Sequence, residues 1–122
     1  MINPMIKPQN TVIWIASIFC IVLGQNRNYN NFQEGLSLER SGKIEEAITI
    51  YKEILNNAPD HQPSFFQLKN IYYNRSKNKD GIEVVSKWLA NKSTDLQSML
   101  LLSEFYFRDS NEREARKIWA QF

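Results

Sequence analysis

Positions 34 residues apart in this chain carry matching side chains, and that spacing restricts the fold more than any other feature. Ala47, Gly81 and Ala115 are all small. Leu38, Tyr72 and Tyr106 are large, as are Tyr51, Val85 and Trp119, while Phe65 matches Met99 and Leu68 matches Leu102. A period of this length marks a stack of supersecondary units, each burying its apolar face against its neighbours.

The unit is clearest from Ser41 to Asp60. Ile44, Ala47, Ile48, Tyr51, Ile54, Leu55 and Ala58 form one helix face, with Glu and Lys on the other side. Gly42 stands where a preceding helix needs a left-handed cap, and Pro59 stands where this helix must stop. Polar turns are expected at Ser41-Gly42, at Ser76-Lys77-Asn78-Lys79 and at Asp109-Ser110-Asn111. Thr94 with Gln97, and Asp109 with Glu112, have capping-box spacing at helix starts. Each unit therefore reads as helix, turn, helix, in an all-α chain.

These residues resemble the tetratricopeptide repeat (TPR) family. The first repeat, about 28–61, matches through Gly35, Leu38, Ala47, Tyr51 and Pro59. The second, about 62–95, matches through Phe65, Leu68 and Tyr72, with Gly81 where alanine is usual. The third, about 96–122 and truncated, matches through Met99, Leu102, Ser103, Tyr106, Ala115 and Trp119. The resemblance implies a TPR-like α-solenoid of about three repeats over residues 25–122. Glu34, Lys69 and Ser93 depart from the pattern. A looser second repeat is expected, because glycine costs about 1 kcal/mol against alanine in a helix interior.

The resemblance also implies a concave surface, lined by the first helix of each repeat, that binds a peptide or partner protein. Carried over position by position, it comprises Phe32, Leu36, Glu39 and Arg40, then Phe66, Asn70, Tyr73 and Asn74, then Leu100, Glu104, Phe107 and Arg108. The second and third of these helices are apolar nearly all round, more than one packing face requires. Asn70 and Asn74, one turn apart, suit hydrogen bonds to an extended peptide. A core role for the apolar members remains the alternative. The family's basic clamp for C-terminal carboxylates is unmatched, since Phe32 and Leu36 stand where Lys and Asn are expected.

Ahead of the repeats, Thr11 to Leu23 is apolar and free of charge. Its length fits the roughly 7–15 residues of a signal-peptide core and falls short of the roughly 17–25 that span a bilayer. Val22-Leu23-Gly24 suits cleavage before Gln25, and Phe19 ahead of Cys20 excludes a lipoprotein signal. Residues 1–24 are expected to be a signal peptide or membrane anchor. That places the body in the periplasm, outside the cell or on a membrane, with membrane association through residues 11–23. The Asn26–Asn31 cluster reads as a polar linker.

At 122 residues, 43% hydrophobic and 23% charged, the chain has the composition of one ordinary globular domain. A net charge of +2 argues against nucleic acid as partner, so Lys69, Arg75, Lys77 and Lys79 read as a solvated turn. Cys20 is the only cysteine, and the repeats lack a thiol for a disulfide or zinc site. No phosphate loop or nucleophile elbow appears. His61, the only histidine, reads as a solvated loop residue. No cofactor, metal or catalysis is expected. The leading expectation is an exported interaction module; the alternative is the N-terminal part of a larger envelope enzyme or assembly factor. Ile118, Trp119 and Phe122 present an apolar face that self-association or further repeats would cover.

Overall fold

The computed structural model describes the backbone of residues 8–122 and the side chains of residues 13–122. Among the described residues there are six helices and no strand: α1 (Pro8–Arg40), α2 (Ile44–Asn57), α3 (Gln62–Asn74), α4 (Asn78–Asn91), α5 (Leu96–Arg108) and α6 (Glu112–Trp119). Each packs on the next in chain order, as consecutive helix hairpins must.

The 34-residue period is present in the backbone. Among the described residues, Gly42, Ser76 and Ser110 are the ones at positive φ, at 80°, 55° and 60°. At each turn the following amide closes a long hydrogen bond back into the helix. Lys43 donates to the Leu38 carbonyl at 2.9 Å, Lys77 to Tyr72 at 2.9 Å and Asn111 to Tyr106 at 2.8 Å. The left-handed residue itself donates to Glu39, Tyr73 or Phe107. This is a Schellman turn made three times, and it satisfies carbonyls that the helix end leaves free. Two of the three use serine, for which the left-handed conformation costs roughly 1–2 kcal/mol.

Helix starts repeat as well. His61 caps α3 by accepting the Ser64 amide at 3.3 Å, and Asp95 caps α5 by accepting the Ser98 amide at 3.1 Å. The capping boxes expected at Thr94 and Asp109 are displaced. The cap of α5 is Asp95, and that of α6 is Asn111, which accepts the Glu114 amide at 3.4 Å. Asp109 instead terminates α5, because the Schellman turn occupies the residues up to Asn111.

The core is continuous from Ala47 and Tyr51 through Phe65, Leu68, Ile71 and Tyr72 to Val85, Trp88 and Phe105. Phe65 and Trp88 stack in parallel with ring centroids 4.1 Å apart. The second repeat is not loose. A Cβ at Gly81 would run into the Phe105 ring, which is fully buried. Burying a phenylalanine contributes about 1.5–3 kcal/mol, more than the roughly 1 kcal/mol that glycine costs the helix.

Helix α1 corrects the linker expectation, since Asn26–Asn31 lie inside it. Asparagine costs a helix at most about 0.7 kcal/mol per residue against alanine, too little to break one held by packing further along. Here Gly35 lets α2 approach, with Tyr51 carbon only 2.6 Å from where a Cβ would stand. The helix also runs unbroken through Gly24, the expected end of the N-terminal segment; residues 1–7 of that segment lie outside the described residues. Ile13, Trp14, Ile15, Ile18, Phe19, Ile21, Val22 and Leu23 are all exposed. Among the described residues no helix is long and apolar enough to cross a membrane, so a spanning anchor finds no support there.

Candidate interaction surface

The second half of α1, together with α3 and α5, supplies the first helix of each repeat, and equivalent positions can be followed from one to the next. Phe32, Phe66 and Leu100 form one such row. Phe32 is drawn partly into the packing, its ring 5.8 Å from Tyr51 and 5.7 Å from His61. Phe66 and Leu100 remain 52% and 50% exposed, and Phe107 53%. Leu36 and Asn70 are half-buried, while Arg40 and Asn74 are exposed. The apolar members are therefore not simply core: three of them stay open to solvent.

The charged members behave differently. The Tyr73 hydroxyl donates to Glu104 Oε1 at 2.6 Å. The Arg108 guanidinium lies over the Tyr73 ring, 4.4 Å from its centroid. It donates from Nη1 to the Tyr73 carbonyl at 3.2 Å and from Nη2 to Ser76 Oγ at 3.1 Å. Tyr73, Glu104 and Arg108 thus converge, but on one another. They brace α3 against α5, and the bond to Glu104 holds the Tyr73 phenol above its ordinary value. Glu39 likewise accepts the Tyr51 hydroxyl at 2.8 Å, and burial, aided by that bond, pushes the Tyr51 phenol well above its ordinary value. Chain position hinted at the brace: residues 73 and 108 lie one repeat and one residue apart.

The basic cluster separates in the fold. Arg75 and Lys77 both reach Glu45 Oε1, at 2.9 and 3.1 Å, and together hold its carboxyl below the usual range, the Lys77 hydrogen bond first. Lys69 lies over the Phe65 and Phe66 rings, 5.4 and 5.1 Å from their centroids. This is cation–π packing, not a basic stripe. His61 is a half-buried helix cap rather than a solvated loop residue. Among the described residues no cluster of His, Cys, Asp or Glu could hold a metal ion.

A cleft that the residue pattern did not predict recurs between second helices. Leu55, Phe65, Val84 and Trp88 line about 350 Å³ between α2 and α4. The equivalent Leu89, Met99 and Ile118 line about 190 Å³ between α4 and α6. Its signal was Leu55, which lies on the apolar stripe of α2 but is left half-buried.

Paired helices, a 34-residue period, small residues at Ala47, Gly81 and Ala115, and a Schellman turn in every unit define a tetratricopeptide-like helical repeat. Comparison with solved structures gives the same fold. Seven chains match, among them "MamA RS-1 ArsTM double mutant", a TPR-like protein, with a TM-score of 0.61 at 19% identity. The match covers 76% of this chain and 52% of that one, so this chain spans about half the length of its structural neighbour. No protein-family profile and no curated protein matches.

Proposed function

We propose that this chain is a non-catalytic interaction module that binds a peptide or partner protein across the first helices of its repeats. The observation that carries the reading is the open row of Phe66, Leu100 and Phe107 beside Asn70 and Asn74. It lies on a scaffold whose Glu39, Glu104 and Arg108 are already paired within the chain. A surface with apolar anchors, adaptable amides and few free charges suits an apolar or amphipathic segment better than a charged chain terminus. The TPR-like neighbour supports the same class of role.

Export is part of the proposal. The charge-free apolar stretch 11–23 supports it, and its residues 13–23 are exposed all round a helix that packs only further on. The stretch would act as an export signal or associate with a membrane surface. Ile118, Trp119 and Phe122 are the proposed self-association contacts. Two measurements test the reading. Phe66→Ala with Leu100→Ala should abolish partner binding while helicity is kept, and unchanged binding would remove the surface assignment. A mature protein that begins at Met1 and stays in the cytosol of its native host would remove export.

A further inference from the structure

The only histidine in the chain stands at the joint between the first and second repeats. His61 Nδ1 accepts the Ser64 amide at 3.3 Å and lies 2.8 Å from the Ser64 hydroxyl. Its ring packs in a T-shaped contact with Phe32 of α1, at a centroid distance of 5.7 Å. With Gln25, Asn28 and Tyr29 of the same helix it lines a cleft of about 400 Å³. The titratable or charged groups in that lining, besides His61, are Tyr29 from α1 and Asp60 from its own turn.

Protonation at Nδ1 loosens the joint in three ways, offset in part by Asp60 and by the Ser64 hydroxyl, which can accept from the new N–H. The ring loses the lone pair that accepts the Ser64 amide, leaving a first-turn donor without its cap. A positive charge arrives at the N-terminus of α3, where the helix dipole is already positive. The charged ring must also sit half-buried against Phe32, which disfavours it. Burial accordingly lowers the imidazole from its ordinary value, against the opposing pull of Asp60. One repeat on, the same position holds Asp95, a cap whose negative charge suits that helix end.

We propose that His61 is a pH-sensitive latch between the first two repeats: neutral, it caps α3 and seats Phe32, and protonated, it releases both. This goes beyond the binding role, although Phe32 belongs to the same row as Phe66 and Leu100. A group whose folded-state value is depressed contributes fully above its unfolded value, about pH 6.5, and that contribution is lost as pH falls through the folded value. The joint between the second and third repeats, capped by Asp95, stays closed over this range.

The test is a proton NMR titration of the whole chain from pH 7.5 to 5, in which the single histidine makes the imidazole Hε1 and Hδ2 signals unambiguous. The Ser64 amide and Phe32 ring signals should move with the imidazole's midpoint, below pH 6.5, while Ser98 stays still. Protection of the Ser64 amide against exchange should fall about fivefold, the usual scale of a lost cap. Ser64 and Phe32 signals that stay fixed while the imidazole titrates would overturn the latch. The variant His61→Asp keeps an acceptor and should abolish the change over this pH range; persistence of the change in that variant would overturn it equally.

Discussion

The Phe105 ring fills the space that a side chain at Gly81 would need, so this contact between the second and third repeats joins the smallest residue to a large one. One repeat earlier the equivalent pair is Ala47 and Ile71, both buried in the same core. The two joints solve one packing problem with different divisions of volume, the second taking a still smaller residue against a larger one.

Gly81→Ala should therefore destabilise the protein, although alanine is the better helix former. Forcing a methyl group into a filled core costs about 1–3 kcal/mol, against roughly 1 kcal/mol gained in helix propensity. Phe105→Ile alone should also destabilise, by leaving a cavity. The double variant Gly81→Ala with Phe105→Ile recreates the earlier pair and should be more stable than either single change. Urea midpoints of the four proteins check this; a Gly81→Ala protein more stable than the parent would show that the joint is loose.

The three left-handed turns give a second prediction. Ser110→Gly relieves strain at φ 60° and should stabilise by up to about 1 kcal/mol, while Gly42→Ala at φ 80° should destabilise by about 1 kcal/mol or more. Ser76→Gly should gain less than Ser110→Gly, because the Ser76 hydroxyl also accepts a bond from Arg108. Thermal melts of the three variants rank them directly.

Asp95 joins two repeats through a cap. Its carboxylate accepts the Ser98 amide at 3.1 Å, the Ser98 hydroxyl at 2.7 Å and the Trp88 indole at 3.1 Å. Asp95→Ala should cost about 0.5–2 kcal/mol and shift the Trp88 indole proton signal. The Ser98 hydroxyl, followed by the Ser98 amide and Trp88, holds this carboxyl below its ordinary value. With a depressed folded value, its contribution is complete above the unfolded value of about 3.9 and is lost as pH falls through the folded one. Asp95→Asn should flatten the stability loss below about pH 4, as seen in acid-unfolding curves.

The turns and paired helices were legible because each rests on local chemistry. Gly42 can adopt a positive φ, Pro59 stops a helix, and Ala47 with Ala115 marks close approach wherever it recurs at the same spacing. Helix α1 was legible only in part. Asn26–Asn31 favours turns weakly, and the decision lies with Gly35 and Tyr51, which no local reading of the Asn cluster includes. The same limit hid the compensation at Gly81, whose partner is 24 positions away. At the candidate surface, the residue types pointed to an apolar and amide-lined face. That Tyr73, Glu104 and Arg108 would bind one another depends on the spacing of α3 and α5, which residue types do not encode.

If the partner lies across the first helices, it must come within reach of Phe66 and Leu100. A photo-crosslinking residue placed singly at Phe66, at Leu100 and, as a control on a second helix, at Glu53 tests this most directly. Crosslinks to one common partner from positions 66 and 100, with none from 53, are the predicted result. Crosslinks from position 53 alone, in a protein that folds normally, would contradict it.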